Sequence, residues 1–174
     1  MKITIATPGH LASNPRVVKE AAALSAAGHV ITIVHGQSVP WLSGQDAQLV
    51  DPDWTVITVP FGRSCAGLLR YLLQVTTFRL ALLLLRFLPK WLTPTHYLSV
   101  LASSPVTRDL RSAVCRVPAD LYIGHYIPAL PAVVLAAERV NALYAFDAED
   151  FHLGDLPADS QSELQRNIVH EIQL

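Results

Sequence analysis

Five short apolar runs, spaced by segments of helical or loop-like composition, constrain this chain more than any other feature. They are Lys2–Thr7, Val30–Val34, Trp54–Val59, Asp120–Gly124 and Ala142–Phe146. Each is of strand length; Lys2-Ile3-Thr4-Ile5-Ala6 alternates as a strand does, and Lys2–Thr7 reads as a first, buried strand. Between the first two, Asn14-Pro15 marks a helix start: the Asn side chain can cap free N–H groups, and Pro suits the first helical position. Val17, Ala21 and Leu24 share one face of that helix, and Gly28 is placed to end it near Ala27. Alternation of strand and helix predicts an α/β fold, doubly wound around a mostly parallel sheet. With 174 residues, the chain suffices for one such domain.

Other segments are less regular. Gly36–Asp53 carries Pro40, Gly44 and Pro52 and is expected to be a loop. Leu68–Leu88 has helical composition with an almost pure leucine run over Leu80–Leu85, and Pro89 and Pro94 break the chain just after it. Helix is again expected over Thr95–Val117 (broken near Pro105), over Pro128–Val140, and in the last twenty residues. The helical, basic stretch 65–117 is expected to form an insertion facing a membrane or a partner.

Composition excludes disorder: 51% of residues are hydrophobic and only 16% charged. A net charge of −1 gives no sign of nucleic-acid binding. The charge is nevertheless segregated. Between Trp54 and Arg108 there is no Asp or Glu, whereas Arg63, Arg70, Arg79, Arg86, Lys90 and Arg108 fall there. From Asp109 onward ten carboxylates face four basic residues. Cys65 and Cys115 lack metal-type spacing; a disulfide is possible, but two thiols in a reducing compartment are favoured. No basic-then-apolar leader opens the chain, so a cytoplasmic location is expected.

Ligands of open parallel sheets bind beyond the carboxyl ends of the strands. That rule selects three places. The first is the loop and helix start after the first strand, with Gly9, His10, Asn14, Arg16 and Lys19. Gly9 would permit close backbone approach, and the cations and helix N-terminus would attract an anion such as phosphate; a capped helix with two solvated cations is the structural alternative. The second is His125-Tyr126, where an imidazole could orient a phosphate or hydroxyl or simply bond within a turn. The third is Asp147–His152, where Asp147, Glu149, Asp150 and His152 could make polar contacts with a sugar acceptor, bind a metal or supply a base, or form a solvated helix-capping turn; the spacing matches no standard metal loop. Neither G-x-G-x-x-G nor a Walker-type loop is present, and no cofactor is expected.

In combination these segments carry a family resemblance. Ser13-Asn14-Pro15-Arg16-Val17-Val18-Lys19-Glu20-Ala21 resembles the first helix of family 4 retaining glycosyltransferases. Asp120–Pro131, with His125 just before Pro-Ala-Leu-Pro, resembles that family's fourth-strand segment, and Tyr144–Asp150 resembles its next strand and acidic loop. The resemblance does not extend over Arg63–Arg116. It implies the Rossmann-like N-terminal domain of a GT-B glycosyltransferase, with a separate C-terminal domain binding a nucleotide-diphospho-sugar. It implies a metal-independent, retaining hexosyl transfer to a glycan or lipid-linked acceptor, which this half would not perform alone. His125 would face the transferred sugar as the catalytic residue. Gly9, His10, Asn14, Arg16, Lys19, Tyr126, Asp147, Glu149 and Asp150 would line the acceptor and phosphate side. Where many members pair glycines in the first loop, this chain has Gly9-His10. Glu163 and Glu171 copy the family's Glu-x7-Glu spacing, but that motif belongs to the other domain and is assigned no function here. A non-catalytic scaffold of the same fold and a GT-B sugar-nucleotide epimerase are the alternatives.

The leucine-rich middle adds a further expectation. Arg79, Arg86 and Lys90 lie at i, i+7 and i+11 and share a helical face; Arg70 falls opposite. Uncharged runs here fall short of the roughly 20 residues that span a bilayer. The segment is therefore expected to lie on an anionic membrane surface, or else to be a core or interface helix whose arginines snorkel.

Overall fold

A computed structural model describes residues 1–87, 89, 95–148 and 160–173. Its centre is a five-stranded sheet of β1 (Lys2–Thr7), β2 (Val30–Gln37), β3 (Thr55–Pro60), β4 (Leu121–His125) and β5 (Leu143–Asp147). All pairings are parallel, in the order β3-β2-β1-β4-β5. The chain moves outward from β1 to β3, crosses back to β4, and moves outward again. The direction of winding therefore reverses between β1 and β4.

Side chains alternate across the strands and build one core on each face. On one face Ile3, Ile5, Ile31, Ile33 and Ile123 pack with Val17 and Ala21 of helix α1 (Pro15–Ala26). On the other, Ala6, Val34, Val59 and Tyr122 pack with helices α6 (Thr107–Val114) and α7 (Leu130–Val140). The doubly wound α/β expectation holds. Asn14 caps α1, accepting from the Val17 amide at 3.4 Å, and Pro15 is its first residue. Gly28, with φ +85°, follows the end of α1 as its position predicted.

The segment expected to be a loop contains helix α2 (Ser43–Leu49), preceded by a 3-10 turn at Pro40–Leu42. Its apparent breakers sit where helices tolerate them: Pro40 opens the turn, and Gly44 lies in the first turn of α2.

The basic middle divides into parts with different roles. Helices α3 (Gly62–Ala66) and α4 (Leu68–Phe87) follow β3, and α5 (Thr95–Ser103) and α6 complete the crossover to β4. Rather than an appendage, α5 and α6 are core: Leu98, Val100, Leu101, Val106, Leu110 and Val114 are buried. Helix α4 differs. Gln74 and Ala81 are buried, while eight large apolar side chains are exposed: Leu68, Leu69, Leu72, Leu73, Leu80, Leu83, Leu84 and Phe87. It is the one helix among the described residues long and apolar enough to cross a membrane. Helix α8 (Ser160–Gln173) packs Ile168 and Ile172 into the core beside α5. Cys65 and Cys115 are free thiols.

Candidate functional site

The winding reverses between β1 and β4, and beyond the carboxyl ends of strands at such a point doubly wound folds bind ligands. Helix α1 borders this point. Arg16 and Glu20 stand four residues apart, hence on one face of α1. The Glu20 carboxylate meets His125 Nε2 at 2.8 Å, and Arg16 approaches Asp147 at 3.6 Å. Asp147 also lies 3.6 Å from His125 Nδ1. The imidazole thus sits between two carboxylates, each opposite a different ring nitrogen. Its side chain is 1% exposed, against 34% for Glu20 and 37% for Asp147.

This geometry corrects one expectation. The His125 ring is itself buried, and the partly exposed groups beside it are Glu20 and Asp147. The ring holds the Glu20 carboxylate by a hydrogen bond, while Asp147 stands within ion-pair distance of the other nitrogen. Tyr126, next in sequence, has φ +64° and ψ 152°, a conformation costing a non-glycine residue about 1–3 kcal/mol. Its amide donates to the Asp147 carbonyl at 3.4 Å, and its carbonyl accepts from the Ala129 amide at 3.0 Å. The strained turn thereby fixes the β4 end against the β5 end.

The first loop is built differently from its expected form. His10 is buried and acts as a hub. Its Nδ1 donates to Asp46 Oδ2 at 2.6 Å, and its Nε2 accepts the Ser38 and Val39 amides at 3.0 Å each. Two donors on Nε2 fix the neutral tautomer with hydrogen on Nδ1. Asp46 Oδ1 accepts the Ala12 amide at 2.8 Å. Both ring nitrogens are committed inside the protein, so the expectation that His10 contacts phosphate or acceptor does not hold. Asn14, also buried, serves as the α1 cap.

Within the protein itself, the glycine required for close packing is Gly36. A Cβ at Gly36 would lie 1.9 Å from the Pro8 carbonyl oxygen; one at Gly9 would meet nothing nearer than Ser13 Oγ at 3.7 Å. Beside this contact lies His35, also buried, its Nε2 3.2 Å from Thr58 Oγ1. Burial lowers the His35 pKa below its ordinary 6.5, partly opposed by the Asp46 charge.

The structure therefore brings Arg16, Tyr126, His125 and Asp147 together, and leaves Lys19 solvent-exposed on α1. Glu149, Asp150 and His152 lie outside the described residues. Two participants, Glu20 and Asp46, are not among the residues the sequence singles out. Glu20 was detectable as the i+4 partner of Arg16. Asp46 was not: its partners lie more than thirty residues away in a segment of loop-like composition. A separate groove of about 670 Å³ runs between α5, α7 and β5, lined by Tyr97, Arg111, Val134, Tyr144 and Phe146. Phe146 and Asp147 point to opposite faces of β5, so this groove and the His125 cluster do not share a face.

No family model and no curated protein matches the sequence. Solved structures do match the fold. TcCGT1 in complex with UDP superposes with a TM-score of 0.50 at 11% identity, covering 84% of this chain and 28% of that one. The fold is that of a Rossmann-like GT-B glycosyltransferase domain. UGT89C1 of Arabidopsis thaliana, complexed with UDP-L-rhamnose, matches at 14% identity over 98% of this chain and 41% of its own, with a TM-score of 0.49. The calicheamicin glycosyltransferase CalG4 matches at 16% identity over 83% and 31%, with a TM-score of 0.47. The chain thus spans well under half the length of these proteins.

Proposed function

We propose that the chain is the acceptor-side half of a GT-B glycosyltransferase, using a nucleotide-diphospho-sugar as donor and a glycan or lipid-linked acceptor. The observation that carries this reading is the Glu20–His125–Asp147 line at the winding reversal, with Arg16 beside it. Its accessible carboxylates can accept hydrogen bonds from sugar hydroxyls, and His125 fixes their positions. Arg16, 57% exposed, can turn from Asp147 toward a diphosphate. The resemblance of the Ser13–Ala21 and Asp120–Pro131 segments favours the retaining family 4 type. The UDP bound to TcCGT1 supports a nucleotide-sugar donor.

On this reading a C-terminal donor domain completes the enzyme, no metal is needed, and this half is inactive alone. The enzyme would work at the cytoplasmic side of a membrane. The enclosure of His125 favours one alternative, a scaffold domain without catalysis. The test is release of nucleoside diphosphate by the complete polypeptide from a panel of nucleotide sugars, for the parent and for Asp147→Asn and His125→Ala. Turnover that falls at least about tenfold in both supports the assignment. Parent-like turnover in both removes the cluster from the mechanism, and no turnover with any donor leaves the scaffold reading.

A further inference from the structure

Helix α4 is amphipathic in an unusual sense: its polar anchors face the protein and its leucines face outward. At 100° per residue, Leu69, Leu72, Leu73, Leu80, Leu83 and Leu84 fall within an arc of about 120°, and all are exposed. Phe87 lies in the same arc, with the Arg86 guanidinium 5.7 Å from its ring centre. Arg79 and Arg86 stand at one margin of this arc, both exposed. The opposite side is tied down. Gln74 Nε2 donates to the Pro60 carbonyl at 3.1 Å and to Asp109 Oδ2 at 2.8 Å, and Arg70 Nε donates to the same carboxylate at 2.8 Å.

These anchors decide between two ways a helix of this length can meet a bilayer. A spanning helix would carry Arg70 and Gln74 into hydrocarbon and break their bonds to Asp109, so length alone does not make α4 a span. A helix lying in the plane keeps every anchor and buries only the leucine arc. We propose that the leucine arc of α4 is a docking surface for an anionic lipid bilayer. This keeps the leucines as the inserted side and limits the arc to Leu69, Leu72, Leu73, Leu80, Leu83, Leu84 and Phe87. Arg79 and Arg86 sit at the edge of the inserted arc, where their side chains reach headgroup phosphates. Charge selects this occupant: no carboxylate occurs from Trp54 to Arg108, so nothing on the segment repels an anionic surface. The inference deepens the membrane placement proposed above but is independent of any sugar transfer.

The experiment is co-sedimentation of the full chain with vesicles of phosphatidylglycerol and phosphatidylcholine, and with phosphatidylcholine alone, at low and high salt. Binding to the anionic vesicles, weakened by salt, is expected. Leu69→Gln/Leu80→Gln should weaken it at least about tenfold, because two inserted leucines are lost. Arg79→Gln/Arg86→Gln should abolish the preference for anionic lipid while leaving residual binding. The replaced side chains are exposed, so circular dichroism and Tm should stay near the parent's and identify any variant that misfolds. Absence of binding to anionic vesicles at low salt overturns the proposal. So does a concentration-dependent dimer that the leucine variant dissociates while vesicle binding is unchanged. Loss of transferase activity with retained vesicle binding would count against the catalytic reading alone.

Discussion

Asp46→Asn isolates the strut that holds the first loop, and its cost follows from counting donors. Two N–H groups converge on this buried carboxylate: His10 Nδ1–H on one oxygen and the Ala12 amide on the other. Asparagine keeps the shape but replaces one oxygen with an NH2 group, so one donor must face another donor. The His10 ring cannot relieve the conflict by moving its proton to Nε2, because the Ser38 and Val39 amides already point there. The variant therefore loses one charge-assisted hydrogen bond and leaves a buried donor unsatisfied, a destabilisation of about 2–4 kcal/mol. Asp46→Ala loses both acceptors and should cost about 3–5 kcal/mol, within the range for breaking a buried network. Urea unfolding measures this directly. With a slope of about 2 kcal/mol per molar, the midpoint of Asp46→Asn should fall by about 1–2 M at unchanged slope. A cycle with His10→Ala should show coupling of about 1–3 kcal/mol, since the two residues share one bond. A midpoint within about 0.2 M of the parent, or a coupling near zero, would refute the strut.

Three further outcomes concern the same region. Gly36→Ala, whose Cβ would lie 1.9 Å from the Pro8 carbonyl oxygen, should destabilise by at least about 2–3 kcal/mol. Gly9→Ala should change the same urea midpoint little, and equal effects would contradict the assignment of the close approach to Gly36. His35 has a folded pKa below its unfolded 6.5, so the unfolded state binds more protons in the window between them. Its stabilising contribution is complete above pH 6.5 and is lost as pH falls toward the folded pKa. Denaturation between pH 7.5 and 5 should show this loss in the parent and a shallower one in His35→Gln; identical slopes would exclude His35 as the source. In the proposed transferase, Glu20→Gln should lower kcat about tenfold or more and shift its pH profile, because the amide keeps the size but not the charge opposite His125. A reduced rate with an unshifted profile would make Glu20 a structural prop alone.

Fold and site were legible to different depths because they depend on different ranges of information. The strands announce themselves locally: Ile3, Ile5, Ile31 and Ile33 are apolar wherever the sheet is covered, and the Asn14-Pro15 cap and Gly28 frame α1 between two of them. Helix α2 was hidden because Pro40 and Gly44 have the same composition in a loop as in a first helical turn. Charge identity was equally visible, but charge partnership was not. His125 was found from its place at a strand end, yet its hydrogen-bond partner is Glu20, 105 residues earlier, which the parallel pairing of β1 with β4 brings within reach. The same pairing gives His10, in the loop after β1, and His125, the last residue of β4, different partners. The loop after β1 turns toward β2 and α2, where Ser38, Val39 and Asp46 occupy both nitrogens of His10. The end of β4 lies at the winding reversal, where carboxylates about a third exposed stand beside the ring. Both rings are buried, and what separates them is the partner: backbone amides and an enclosed carboxylate at His10, partly exposed carboxylates at His125.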